Sequence, residues 1–315
     1  MTATMVADKS ARPSVLPTER LLPNGVCRPE LRAELRRIND AANARSIVLL
    51  WVWVLAMLGL AVWSGSPFAY AGAFILMGPV YARFAILMHE SAHKLLFTNK
   101  RVNDWVGTWL IAYPVWTPIG LYRRAHFSHH REEFGPDEPD MAFYGGYPCS
   151  RRTLWRRLRR DAFGISGWKN FSKLVRAVRY PQVRPVVLSI LAVQCTMWGA
   201  SWALSGRVWI YPLLWWLPWM TQWRVINRLR SIAEHGGLEA SKDRRVTTHN
   251  VRQSWAARLW IVPYNTGWHL AHHVDMGVPW RNLPAFHAEL VRAGYVTESL
   301  TYPSYMALWR ALASA

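Results

Sequence analysis

Residues 68–93 read FAYAGAFILMGPVYARFAILMHESAH: an apolar run with Arg83 as its single charge, passing without a break into His89-Glu-Ser-Ala-His93. A helix needs about 20 apolar residues to cross a bilayer, and Phe68–Met88 supplies that length. Arg83 lies five residues from the end of the run, where it can snorkel or face the protein interior. His89 and His93 are spaced i, i+4, which puts them on one helix face about 5–6 Å apart at Cβ. The stretch predicts a membrane-crossing helix that carries two imidazoles past the bilayer surface.

Outward from this helix the pattern repeats. Ile47–Trp63 is a second uncharged run, joined to the first by the polar turn Ser64-Gly-Ser-Pro67. Val186–Leu204 and Val208–Arg224 form another pair across Ser205-Gly206-Arg207, and the latter continues through Val225–Ile232 toward His235. Pro212 and Pro218 interrupt the last run, which membranes tolerate when neighbours satisfy the freed carbonyls. Trp105–Tyr122 is apolar but contains Pro114 and Pro118; it reads as an interfacial or re-entrant segment, because a fifth span would strand the histidines on opposite sides. The expected fold is an all-α integral membrane protein with four transmembrane helices (about 47–63, 68–88, 186–204 and 208–224) in two hairpins. Residues 1–45 form an N-terminal segment whose first 25 residues look like a disordered tail, and 46–315 form one membrane domain.

Composition agrees. The 20 tryptophans and 12 tyrosines exceed what a soluble domain of 315 residues needs, and these residues collect at membrane–water interfaces. A net charge of +19 would suit nucleic acid in a soluble protein. Here the cations sit between apolar spans, in 89–185 and 225–315, while both interhelical turns are short and almost uncharged. The positive-inside rule then places both termini and all the histidine clusters in the cytosol. The excess of Arg over Lys reads as a GC-rich bacterial gene, hence a bacterial cytoplasmic membrane, and the placement of the cations between apolar spans suits a membrane face rather than a nucleic-acid partner. Arg151–Arg160 holds six arginines and Lys169–Arg184 five more cations; this basic stretch reads as a helix on anionic headgroups or a patch for an acidic redox partner. The polar N-terminus shows no cleavable signal peptide. Cys27, Cys149 and Cys195 are scattered and suggest neither disulfide nor cysteine metal site.

Two further clusters complete the pattern, His126-Phe-Ser-His129-His130 and His269-Leu-Ala-His272-His273, with His235 alone between them. Imidazole suits Fe, Zn, Cu and Ni. A zinc site takes three or four protein ligands, and nine histidines exceed that; they divide between two metal ions, each with an open position. Glu90, Glu133, Asp140, Glu234 and Asp275 lie close enough in sequence to orient imidazoles, although a solvated surface role is the plainer reading of each. His249 and His287 stand outside the clusters and are expected to be dispensable. His-Glu-x-x-His also matches a zinc protease motif with Glu90 as general base, but that reading leaves six clustered histidines without a role. A bis-His haem protein needs paired ligands on opposing helices, not three-histidine boxes on single faces.

The order HxxxH, HxxHH, isolated His, HxxHH over two hairpins resembles the membrane fatty acid desaturase/hydroxylase superfamily across about residues 47–290. Tyr264-Asn-Thr-Gly-Trp-His269, with Pro279 and Leu283-Pro284 beyond it, is also similar to the surroundings of that family's third box. The resemblance implies that His89, His93, His126, His129, His130, His235, His269, His272 and His273 ligate two iron ions. It implies a cytosolic helical cap (89–185 and 225–315) holding this dimetal site over the four spans. It further implies an O2-dependent enzyme that removes hydrogen from an acyl chain to leave a cis double bond; a hydroxylase or ketolase of a lipid or carotenoid shares the scaffold. Glu90 stands where many members have Asp, and Ser231 where acyl-CoA desaturases often have Asn, with Asn227 and Asn265 as candidate substitutes. His269 in place of Gln argues against front-end desaturases fused to cytochrome b5. No His-Pro-Gly-Gly haem motif occurs, so a separate donor, a ferredoxin or cytochrome b5-like protein with its reductase, is expected.

Overall fold

The computed structural model describes residues 4–15 and 17–314. In chain order the α-helices among them are α1 (Pro29–Leu35), α2 (Asp40–Ser64), α3 (Pro67–Ala92), α4 (Lys100–Val106), α5 (Ile119–Arg131), α6 (Met141–Tyr144), α7 (Arg151–Ala162) and α8 (Ile165–Arg176). They continue as α9 (Arg184–Ser205), α10 (Leu217–Met220), α11 (Gln222–His235), α12 (Arg244–Thr247), α13 (Trp255–Trp260), α14 (His269–Val274), α15 (Leu283–Arg292) and α16 (Tyr305–Leu312). The chain divides into two compact units, one of Met1–Ile38, Arg123–Trp155 and Arg228–Ala315, the other of Asn39–Tyr122 and Arg156–Asn227. The first stretch of one unit ends at Ile38, just before α2 begins.

Three helices among the described residues are long and apolar enough to cross a membrane: Pro29–Ser64, whose apolar part is α2, Pro67–Ala92 and Arg184–Ser205. Each boundary has a local cause. Asn39 accepts a hydrogen bond from the Ala42 amide to cap α2, and Gly65 closes it at φ +62°, a conformation that costs glycine little. Pro67 occupies the first turn of α3, where its missing amide has no helical partner to lose. Gly206 ends α9 at φ +67°. α2 and α9 leave Val48, Leu49, Val52, Leu55, Leu188 and Trp202 at least half exposed, a surface suited to lipid, whereas α3 is buried from Met77 onward apart from Arg83. Arg83 stacks 4.8 Å from the Trp53 ring centroid and donates to the Pro79 carbonyl, so it is held by protein.

The expected fourth span is helical only in pieces. Residues Pro212–Trp216 are π-helical, α10 follows, and the path breaks at Thr221 before α11. Prolines remove ladder donors and π-bulges accommodate the loss. The Tyr81 hydroxyl donates to the Trp215 carbonyl at 2.5 Å, and Trp215 Nε1 donates to the Pro114 carbonyl at 2.9 Å. Trp105–Tyr122 forms a π-helical continuation of α4 over Gly107–Ala112, then a turn. Gln194 Nε2 donates to the Tyr113 and Pro114 carbonyls and so ties that turn to α9.

In the other unit the N-terminal segment departs from the disordered tail expected of residues 1–25. Leu21, Cys27, Leu31 and Leu35 are buried in one cluster with Leu270, Phe286 and Leu290 of α14 and α15, and Arg20 pairs with Glu289 at 2.9 Å. Residues 1–3 and 16 lie outside the described residues. Gly25, at φ +81°, fits where a Cβ would press on Leu290, Val274 and Tyr295. A short parallel pairing of Asn250–Val251 with Thr301–Tyr302 closes this unit.

Candidate metal centre

α5 and α14 are short helices that each place three histidines on one face, and α11 ends on His235. All seven imidazoles are buried, at 7% exposure or less. His126 and His130 bring their Nε2 atoms to 3.0 Å, and His272 Nε2 lies 3.0 Å from that of His130. In a second group His269 Nε2 lies 3.1 Å from His235 Nε2 and 3.0 Å from His273 Nε2. His129 joins this group, within ligand distance of His235 and His273. The groups are adjacent: the His130 and His273 rings are 4.5 Å apart at their centroids.

The opposite ring nitrogens explain the aim. His129 Nδ1 meets both Glu138 carboxylate oxygens at 3.0 Å. His273 Nδ1 lies 2.5 Å from Glu133 Oε1, which also accepts from Arg244 at 2.6 Å. His235 Nδ1 lies 2.8 Å from the Thr247 carbonyl, which can only accept, so Nδ1 carries the proton. His269 Nδ1 faces Glu234 at 3.4 Å, and Arg230 braces that carboxylate at 2.7 Å. A neutral imidazole with its proton on Nδ1 presents a bare lone pair at Nε2. Lone pairs 3.0 Å apart repel each other unless a cation sits between them. Imidazole–metal bonds of about 2.0–2.1 Å put neighbouring ligand nitrogens at about this separation, so the donor set fits metal ions.

Electrostatics point the same way. Burial pushes His235 well below the ordinary imidazole range, and the neighbouring His129 and His273 push it further. His273 is lowered chiefly by burial, against the pull of Glu133. Burial also lowers His129, but Glu138, Asp140 and Glu133 outweigh it and the net shift is upward. Glu133 is held well below the usual carboxylate range; burial opposes this, and His273, His235 and Arg244 prevail. Glu234 is raised by burial despite Arg230. His235 and His273 are thus held as neutral imidazoles beside the fixed negative charge of Glu133.

A model of the fatty acid desaturase family matches residues 65–305. The chain belongs to the fatty acid desaturase family. Dihydrorhizobitoxine desaturase of Bradyrhizobium elkanii is 26% identical over 72% of this chain and 69% of its own length. A chloroplastic omega-6 fatty acid desaturase of Brassica napus is 24% identical over 82% of the chain, which spans 62% of that protein. An sn-1 oleoyl-lipid 12-desaturase of Arthrospira platensis is 22% identical over 88% of the chain and 83% of its own length.

Of the histidines proposed from the sequence of this desaturase family member, the seven above share one unit. His89 and His93, at the end of α3, lie in the other, buried, with ring centroids 4.7 Å apart. Among the carboxylates, Glu133 and Glu234 do face imidazoles. Glu90 approaches His89 Nδ1 at 3.5 Å. Asp140 lies within ligand range of His129 and Glu138. Asp275 instead pairs with Arg36 at 2.6 Å and Arg32 at 3.6 Å. Sequence reading missed Glu138, Thr247 and Arg244, which come from a loop and another helix with no periodicity to announce them; it also missed Arg230, which stands i, i+4 from Glu234 on α11 and could have been found by that spacing. His249 and His287, outside the clusters, pack beside them. His249 is buried, with Nε2 2.8 Å from the carbonyl of Gly236, the residue after His235. His287 stacks on Trp268, the residue before His269, at 4.0 Å.

Proposed function

We propose that the protein is an O2-dependent membrane fatty acyl desaturase that introduces a cis double bond at a His-ligated diiron centre. The observation that carries this reading is the convergence of Nε2 lone pairs 3.0–3.1 Å apart in two adjacent groups. His126, His129, His130, His235, His269, His272 and His273, together with His89 and His93, are the proposed ligands of two iron ions. Iron held there supplies O2 activation for cleavage of unactivated C–H bonds. The residues of the chain fix the geometry: Glu138, Glu133 and the Thr247 carbonyl hold Nδ1 protons so that Nε2 faces the metal, a role that raises ligand basicity.

The topology that goes with this function has a fourth crossing over Val208–Arg224 and a cytosolic helical cap, in a bacterial cytoplasmic membrane. Short turns after α2 and α9 against basic segments elsewhere support it. An acyl chain as substrate is supported by the names of the plant and cyanobacterial relatives. A pocket of about 350 Å³ in the α9 unit, lined by Trp116, Phe171, Leu191, Trp198 and Trp216, offers a surface suited to hydrocarbon. Electrons come from a ferredoxin or cytochrome b5-like carrier with its reductase.

The test is lipid analysis of a host expressing the gene, paired with assay of iron-loaded protein given O2 and a reduced carrier. A new cis-alkene in the acyl pool is expected. An alcohol or ketone product would move the protein to the hydroxylase or ketolase branch, and zinc-dependent peptide cleavage would contradict the reading.

A further inference from the structure

Beside the histidine cluster, within the same unit, lies a cleft of about 560 Å³ whose walls include Arg32, Arg36, Arg131 and Arg244, with His130 and His273 among its lining. We propose that this cleft docks an acidic one-electron carrier protein and passes its electrons to the centre through the His130 and His273 side. The inference rests on the desaturase reading above and adds to it the place of electron entry.

Charge is the first argument. Four guanidiniums line the cleft against one lining carboxylate, Asp275, which Arg36 and Arg32 already contact. The second is which face of the ligands it reaches. Arg244 joins the cleft to Glu133 Oε1 and to the His130 carbonyl at 3.0 Å, and Glu133 Oε1 is bonded to Nδ1 of His273. This is the back of the His273 ring, opposite the Nε2 that faces His269. A reacting C–H bond needs the Nε2 side, whereas an electron needs only the bonded chain Arg244–Glu133–His273. The third is texture: Phe127, Val274 and Met276 sit among the arginines, matching the apolar core and charged rim of protein interfaces.

The arginines of α7, Arg156, Arg157 and Arg160, lie in a different setting. Trp155, Phe163, Ile165 and Trp168 are exposed on α7, α8 and their connection, and exposed aromatics alternating with cations suit a lipid surface.

The electron balance fixes what the cleft must deliver. Removing two hydrogens from adjacent carbons yields two electrons and two protons. The carrier, oxidised by one electron in each of two visits, supplies two more electrons, and solvent supplies two protons. One O2 takes all four electrons and four protons and leaves as two waters.

The experiment measures binding of an oxidised acidic plant-type ferredoxin to the full-length protein in neutral detergent, at low and high salt, for wild type, Arg131→Gln, Arg131→Glu and the triple reversal of Arg156, Arg157 and Arg160. The Arg131 side chain is 73% exposed and its nearest carboxylate, Glu132, is 3.9 Å away, so the fold survives its loss. Expected are salt-sensitive binding in wild type, weakening in the order Arg131→Gln then Arg131→Glu to about tenfold or more, and no change in the triple reversal. The carrier KM should rise in parallel with binding loss, while turnover with a small uncharged reductant stays at the wild-type rate. Binding that ignores Arg131, binding lost in the triple reversal, or an Arg131→Glu effect on lipid-substrate KM alone would each overturn the cleft as the carrier's site. Salt-sensitive, Arg131-dependent binding with no unsaturated product would leave the cleft standing and remove the desaturase reading.

Discussion

Glu138 holds the Nδ1 proton of His129 from a loop nine residues further on, and it shows what single side chains contribute to this centre. Glu138→Ala should lower iron affinity about 10–100-fold, the usual cost of losing a partner that orients a ligand, with helical content unchanged by circular dichroism. Competition with a graded chelator measures it; unaltered affinity would show that His129 needs no brace. His235→Ala should abolish turnover outright. His249→Ala removes a buried ring and a bond to the Gly236 carbonyl, so a stability loss of about 1–3 kcal/mol is expected, read as a lower Tm. Burial pulls both His249 and His287 down to about 4. The sign follows: between pH 6.5 and 4 the unfolded chain binds protons that these folded rings refuse, so stability falls as pH drops through that window. His287→Asn should flatten the dependence of Tm on pH there, and an unchanged slope would contradict the assignment. The clusters themselves were legible because i, i+3 and i+4 spacing gathers rings on one helix face. Glu138, Thr247 and Arg244 were not, because tertiary folding alone brings them to the rings.

At the scale of elements, α4 runs into its π-helical continuation at Gly107, where it meets α3. A Cβ at Gly107 would overlap Ser91 Oγ and come within 2.6 Å of Ser91 Cβ. Gly107→Ala should therefore push the two helices apart at the level of Ser91, two residues before His93, at a cost of about 1–3 kcal/mol. Pairing it with Ser91→Gly should restore most of the lost Tm, and failure of that rescue would place the cost elsewhere. Long apolar runs made α2, α3 and α9 readable, since about 20 such residues with at most one charge are long enough to cross a bilayer. The stretch from Val208 was harder, because Pro212 and Pro218 turn it into a π-segment and a short helix, and the Trp215 carbonyl of the π-segment is satisfied by Tyr81, a residue remote in sequence. The N-terminal segment is polar on average, yet Leu21, Leu31 and Leu35 bury against α14 and α15, contacts that tertiary folding alone brings together.

For the whole molecule the charge distribution makes a topological prediction. A reporter inserted after Ser66 should register outside the cytoplasm and one at the C-terminus inside, because Lys and Arg near span ends set orientation. The reverse arrangement would separate the histidines from cytosolic reductant. The account stands or falls on what the converging imidazoles hold. Metal analysis of the purified protein, with an optical spectrum for haem, addresses that directly. The account predicts close to two non-haem irons per chain, lost in His235→Ala and His272→Ala; a single stoichiometric zinc, or haem, would contradict it.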